Sequence, residues 1–220
     1  MEWTSDSELF QLMRAQLFTA IIGDVLDRNG YHRQFLPAEC RPLHPAMVVC
    51  GRAMTVHEMD VAEWSEPPFG MMLKALDSLE KDEVYLAAGG SSRYAYWGEL
   101  MSTAARARGA AGAVLAGPAR DTNGILAMNF PTFCYGSYAQ DQRGRGKVTD
   151  FRIPLKVGAV TVLPGDIVFG DIDGVVVLPR AVESDVVGTA LEQVRKEKTA
   201  RRMLQEGASA ETVFRQTGVL

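Results

Sequence analysis

The chain has 220 residues, 47% hydrophobic and 23% charged, enough for one ordinary domain with its own core and no need of disulfide staples. Its net charge of −4 gives a nucleic-acid-binding surface no global electrostatic help, so no nucleic-acid partner is expected. Cys40, Cys50 and Cys134 are odd in number and lack CxxC spacing, which indicates neither a disulfide framework nor a thiolate zinc site and fits a reducing cytoplasm. The start Met1-Glu2-Trp3-Thr4 has no basic flank, and no apolar run approaches the ~20 residues of a spanning helix, so neither export nor a membrane partner is expected.

From Ser7 to Gly30 the pattern is helical with a break near Thr19, which caps a second helix carrying Ile21, Ile22, Val25 and Leu26, with Gly30 as its stop. Arg33 to Pro45 is a proline-rich loop. It feeds Ala46–Cys50 and Gly51–Val56, two pieces of strand separated by a bulge or turn. Ser65-Glu66-Pro67-Pro68 ends that region, a helix is predicted from Phe69 to Lys81, and Val84–Ala88 is a buried strand closed by Gly89-Gly90. Gly98 opens a helix to about Arg108, followed by a strand at Gly112–Ala116, a short helix at Thr122–Met128 and a strand at Thr132–Tyr135.

Such alternation argues a mainly parallel sheet with its functional side chains at the C-terminal strand ends. Between Ile153 and Leu178 four short β runs, divided by Pro164-Gly165-Asp166 and Asp171-Ile172-Asp173-Gly174, read as a β meander. Ala181 to Glu206 is a charged helix, and Ser209 caps a last one ending near Thr217. The expected fold is one α/β domain over residues 1–220: a layered mixed sheet with flanking helices and a C-terminal β meander followed by a charged helix, residues 181–220 forming a helical extension.

Chemistry concentrates in Gly98-Glu99-Leu100-Met101 and, twenty residues on, Arg120-Asp121. Gly98 lets a ligand approach a helix start, where the free N–H groups of Glu99, Leu100 and Met101 can hold a carboxylate or a developing enolate oxygen. Arg120 offers a planar fork for a 2-oxo acid, and Asp121 and Glu99 offer hard oxygen ligands for a divalent ion. Spacing alone describes a surface turn pair and a macrodipole acid as well, and those are the commoner arrangements. Arg143-Gly144-Arg145-Gly146-Lys147 reads as a solvated loop that could also meet substrate carboxylates. His32, His44 and His57 form no metal-binding pair, and Gly89-Gly90-Ser91-Ser92 lacks the lysine of a phosphate loop.

The segments GEL and AARARGAAGAVLAGPARD, with GRAMTV upstream and VLPGDIVFGDIDGVVVLPR downstream, resemble the family uniting 4-hydroxy-4-methyl-2-oxoglutarate aldolases with the regulator of ribonuclease activity A, over nearly the whole chain. Glu99, Arg120 and Asp121 match the aldolase branch, with Glu in place of the usual Asp. The resemblance implies that Asp121, with Glu99, anchors Mg²⁺ or Mn²⁺ partly through waters. It also implies that Arg120 binds the 2-oxo acid and that the Leu100 and Met101 backbone receives its carboxylate. An Asn that the aldolases place before the helix beginning near Phe69 is replaced here by Pro68-Phe69-Gly70. The resemblance further implies a homotrimer or dimer of trimers in which a carboxylate from a neighbour's C-terminal helix completes the site. Glu197 is the candidate, with Glu192 behind it, although that stretch also reads as a solvated ion-pair face. The implied reaction is retro-aldol cleavage of a 4-hydroxy-2-oxo acid to pyruvate, with oxaloacetate decarboxylation as a side activity. The alternative is a non-catalytic regulator of an endonuclease.

Overall fold

The computed structural model describes residues 3–64 and 66–220. Met1, Glu2 and Ser65, which figure in the readings of the N-terminus and of the Ser65–Pro68 break, lie outside the described residues. Helices α1 (Asp6–Gln16) and α2 (Thr19–Arg28) meet at 106°. Thr19 is the first residue of α2, not its cap. Its amide and hydroxyl donate to the Asp171 carboxylate at 2.8 and 2.6 Å, which fixes the helix start to the far end of the chain. No single helix among the described residues is long and apolar enough to cross a membrane.

Strand β1 (Arg41–Pro42) precedes a twelve-residue strand, β2 (Val49–Asp60), which runs unbroken through Gly51. The expected interruption is absent because Gly51 serves close packing: a Cβ there would stand 2.3 Å from the Asp82 carbonyl oxygen. Helix α3 spans only Met72–Asp77, since Phe69 to Met71 are taken by pairing with a later strand, Met71 N donating to Val148 O at 2.9 Å. That strand, β6 (Gly146–Phe151), lies antiparallel to the end of β2, so Gly146 and Lys147 belong to the sheet, in place of the solvated loop expected there. Between them come β3 (Glu83–Ala88), α4 (Glu99–Ala107), β4 (Gly112–Leu115), α5 (Thr122–Met128) and β5 (Thr132–Cys134).

Hairpin β7 (Leu155–Val157) and β8 (Val160–Val162) stands apart, while β9 (Ile167–Asp171) and β10 (Gly174–Leu178) return to the main sheet. A 3₁₀ turn leads into the long α6 (Glu183–Gln205), and Ser209 caps α7 (Ala210–Thr217) by accepting from Thr212 N.

The main sheet runs β1-β5-β4-β3-β2-β9-β10, with β2, β3, β4 and β5 parallel and the flanking strands antiparallel. It is mixed and nearly closed. Backbone bonds join Leu36 N to Val175 O and Val177 N to Gln34 O, and β1, a few residues on, pairs with β5 at the opposite edge.

Alternation along β3 sorts the core as a strand must. Tyr85 and Ala87 face the cluster under α3, α4 and α5, whereas Val84, Leu86 and Ala88 join Val49, Val114, Phe133 and the β7–β8 hairpin. A third cluster packs Val186, Val187, Ala190, Leu191 and Val194 of α6 against α1, α2 and the β9–β10 side of the sheet. The apolar stripe of the charged helix is therefore covered by this chain's own elements.

Arg52 ties these layers together. It donates to both Asp6 oxygens at 2.6 and 2.8 Å, to the Gly165 carbonyl at 3.1 Å and to Glu183 at the start of α6. Arg52 and Glu183 are nearly buried, whereas Asp6 is about half exposed. Arg52→Ala is expected to cost about 3 kcal/mol by leaving Glu183 without its partner, and Asp6→Ala ~1 kcal/mol or less. Urea unfolding of the two variants checks the ordering.

Candidate functional site

Three parallel strands end side by side, and their extensions continue the pairing beyond the regular sheet. Ala119, after β4, bridges to Trp97 on the β3 side and to Ser137 on the β5 side. Arg120 N donates to Trp97 O at 2.9 Å, and Ala119 N donates to Gly136 O at 3.0 Å. This backbone places Arg120 and Asp121 against Gly98, the N-cap of α4. The helix start has no side-chain cap, so the amides of Glu99, Leu100 and Met101 keep the free donors of a first turn. Trp97 buttresses it: its indole Nε1 donates to Ser102 Oγ at 2.7 Å, and Ser102 Oγ donates to the Gly98 carbonyl at 3.1 Å.

Asp121 sits at the N-cap of α5 in the left-handed region, φ 55° and ψ 34°, and caps nothing. An aspartate at an N-cap ordinarily adopts extended φ/ψ and bonds the first-turn amides. The unusual conformation costs on the order of 1 kcal/mol and turns the carboxylate out of its own helix, until Oδ2 would stand 2.8 Å from a Cβ on Gly98. Arg120 lies between two acids, with Nη1 3.1 Å from Asp141 Oδ1 and Nε 3.6 Å from Asp121 Oδ2. All three side chains are between a third and a half exposed, open to a ligand.

Glu99, in the first turn of α4, lays its carboxylate over Gly124 in the first turn of α5, with Oε2 2.6 Å from where a Cβ would be. Glu99 and Asp121 thus border the junction of the two helix starts. No group of three His, Cys, Asp or Glu gathers to hold a metal among the described residues. Two hard carboxylates at a solvent-open junction fit a Mg²⁺ or Mn²⁺ ion held largely by water and ligand, and do not fit a zinc cage.

Arg120 and Asp121 form one end of a cleft of about 330 Å³, whose described lining does not include Glu99. Gly98, Leu100, Met101, Arg120 and Asp121 line it, together with Asp141 and Gln142, which the sequence did not single out. Glu197 is elsewhere in the chain, beside Ala200, Arg201 and Leu204 on α6 and Val219 and Leu220 at the C-terminus, in a separate hollow. Of the basic loop, Arg143 stacks on the Trp64 ring at 5.0 Å and Arg145 donates to backbone carbonyls of Asp141 and Arg143. Neither lines the cleft.

Behind the cleft is a second feature missed in the sequence. Glu58 of β2 is fully buried and accepts a hydrogen bond from the Gln142 amide. Its other oxygen and the hydroxyls of Tyr85, Tyr94 and Tyr96 have no hydrogen-bond partner among the described residues. Burial pushes the Glu58 carboxyl up to about 8, against a partial opposing effect of Gln142, so it is mostly protonated at neutral pH. Burial raises all three tyrosines as well, with the Glu58 charge adding to it. An acid inside an otherwise apolar strand is the mark that Glu58 leaves in the sequence.

The chain belongs to the RraA-like family, Aldolase/RraA, whose family model matches residues 19–177. A Halalkalibacterium halodurans protein named "putative 4-hydroxy-4-methyl-2-oxoglutarate aldolase" is 30% identical over 193 residues, 87% of either chain. Protein DlpA of Legionella pneumophila is 28% identical over 88% of this chain, which spans only 31% of that longer protein. Streptomyces coelicolor RraAS2, described as an unusual member of the RNase ES inhibitor RraA family, superposes with a TM-score of 0.79. It covers 91% of this chain and 99% of its own at 24% identity, a likeness of fold.

Two outcomes are expected. The folded Glu58 carboxyl is raised above its ordinary value of 4.5, so its contribution to stability is full below about 4.5 and is lost as pH rises towards 8, by an amount on the order of a few kcal/mol. Denaturant midpoints across pH 4–9 should show that slope in the wild type and a flatter one in Glu58→Gln. Gly98→Ala should displace the Asp121 carboxylate and weaken ligand binding in the cleft about tenfold or more while leaving the thermal midpoint within a few degrees.

Proposed function

We propose that this protein is a divalent-metal-dependent carbon-carbon lyase that cleaves a 4-hydroxy-2-oxo acid to pyruvate and a second carbonyl fragment, with oxaloacetate decarboxylation as a side activity. The observation that supports it most is the pairing of Arg120, fixed by backbone at a strand end, with an Asp121 carboxylate turned away from its own helix. In this reading the substrate carboxylate lies on the amides of Leu100 and Met101 at the α4 N-terminus and on the Arg120 fork. Asp121 and Glu99 would hold Mg²⁺ or Mn²⁺. The ion, when bound, supplies Lewis-acid polarisation of the 2-oxo group. Arg120, already balanced by Asp141, stabilises negative charge that grows on the pyruvyl fragment.

A base must take the 4-hydroxyl proton, and among the described residues that line the cleft of one chain the carboxylates are Asp121 and Asp141, both already placed beside Arg120. We assign that role to Glu197 of a neighbouring copy in a trimer or dimer of trimers. The polar end of α6, beyond the buried stripe, packs on α7 through Ala200 and Met203 and leaves Arg195, Lys196 and Lys198 exposed beside Glu197, the face that would lie across another copy.

Pyruvate release from 4-hydroxy-4-methyl-2-oxoglutarate and from oxaloacetate tests the reading. Chelation by EDTA should abolish turnover and Mg²⁺ or Mn²⁺ restore it. Arg120→Ala and Asp121→Ala should each lower kcat/KM by ~10²–10³ with unchanged circular dichroism. Mixing Asp121→Ala with Glu197→Ala subunits should recover part of the activity. Full turnover in metal-free protein, or unaltered kinetics in either cleft variant, contradicts the assignment.

A further inference from the structure

Glu58 and Gln142 form a pair whose polarity the backbone leaves open. Glu58 follows Met54 and Val56 on the face of β2 that meets the core under the cleft, and it is fully buried. Gln142 sits in a stretch fixed by backbone: Ala95 N donates to Gln140 O at 2.8 Å, and Arg145 N and Gly146 N donate to Gln142 O at 2.8 and 2.9 Å. Gln142 is 3% exposed and lines the cleft with Tyr96 and Asp141. Its amide Nε2 donates to Glu58. Its Oε1 finds no partner among the described residues and yet is not sealed inside the core, so the amide oxygen is the end that reaches the cleft. The pair lies within one chain and is the same whether or not another copy covers the mouth of the cleft.

The proton on Glu58 decides which end of that amide turns inward. A carboxylate only accepts, so ionised Glu58 requires the amide N–H, as in the arrangement above. A carboxylic acid must also place an O–H. With the amide unchanged that O–H falls on the second Glu58 oxygen, which no described residue reaches, and a buried unpaired donor is costly. Turning the amide over lets the acid donate to the Gln142 oxygen and brings the N–H2 into the cleft. The titratable groups facing Glu58 are Tyr85 of β3 and Tyr94 and Tyr96 of the loop after it. Burial raises all three, and Asp60 acts on the last two. Strand β6 faces Glu58 with Val148.

We propose that Gln142 is a further ligand-binding residue of the cleft and that Glu58 is its positioning residue. Protonated Glu58 turns the Gln142 N–H2 towards a bound 2-oxo acid anion, and ionised Glu58 turns the amide oxygen there instead. This rests on one part of the reading above, that the Arg120 end receives an anion. An N–H2 adds a charge-assisted donor to the ligand oxygens, whereas an amide oxygen brings lone pairs that an anion avoids. Burial sets the Glu58 carboxyl at about 8, so the donor form prevails at neutral pH and the acceptor form above it. Affinity for the anion is therefore lost as pH rises, and binding favours the protonated form of Glu58.

Oxalate with Mg²⁺ is the probe, because it keeps both negative charges between pH 7 and 9 and is not cleaved. Its calorimetric titration into the wild type should give an affinity about tenfold or more higher at pH 7 than at pH 9. At pH 8, buffers of different ionisation enthalpy should reveal a fraction of a proton taken up per oxalate bound. Glu58→Gln and Gln142→Leu should each bind oxalate equally at the two pH values, since one has lost the proton and the other the amide. Circular dichroism establishes that each variant is folded, and the wild-type titrations stand without them. Equal wild-type affinity at pH 7 and 9, tighter binding at pH 9, or a pH dependence that persists in either folded variant overturns the proposal. So does an absence of oxalate binding, which removes the lyase reading with it. The expected profile without pyruvate release from any hydroxy acid upholds the Glu58–Gln142 pair and removes the lyase reading, and pyruvate release with a flat profile does the reverse.

Discussion

The backbone pairing that continues past the ends of β3, β4 and β5 is the constraint on which the site depends. Ala119 is bonded on both sides, to the Trp97 and Ser137 strands, so the next two residues have little freedom of direction. Arg120 and Asp121 inherit their positions from a parallel sheet whose interior is buried on both faces, and a packed interior resists small displacements. The side-chain partners of Arg120 then tune its charge without having to hold it in place. A site carried this way is preorganised: the cost of aligning its groups is met when the chain folds, before any ligand arrives.

Charge is distributed unevenly along the cleft. Three half-exposed groups, Asp121, Arg120 and Asp141, and the free amides of α4 occupy one end, while α3 and α4 supply hydrocarbon at the other. Beneath the floor, Glu58 holds Gln142 from behind as a buried, protonated carboxyl, which rigidifies a cleft wall at some cost in stability at neutral pH. The loop between β5 and β6 thus contributes twice, with Asp141 on Arg120 and Gln142 on Glu58.

The elements most legible in sequence are those with strong local signals. The strand at Val84–Ala88, the Gly98 helix start, the Thr122–Met128 helix and the Ser209 cap each sit where composition and capping chemistry put them. Errors arise where tertiary contacts override local preference. Gly51 reads as a break but meets a neighbouring carbonyl; Phe69 to Met71 read as helix but pair with β6; Thr19 reads as a cap but bonds Asp171 across the fold. In the site, Arg120 and Asp121 can be found because a strand precedes them and a helix follows. Asp141 and Gln142 cannot, since they lie in an irregular stretch whose partners, Arg120 and Glu58, are distant in sequence.

The central claim is that the Arg120–Asp121 end of the cleft receives the planar head of a 2-oxo acid. Oxalate mimics the planar, doubly charged shape of a pyruvate enolate, and its calorimetric titration with Mg²⁺ into the wild-type protein and into Arg120→Ala tests this most directly. One oxalate should bind per wild-type chain, with an affinity at least tenfold weaker in Arg120→Ala, the scale expected for loss of a charge-assisted bidentate partner. Equal affinity in the two proteins, or no binding to the wild type, would contradict it.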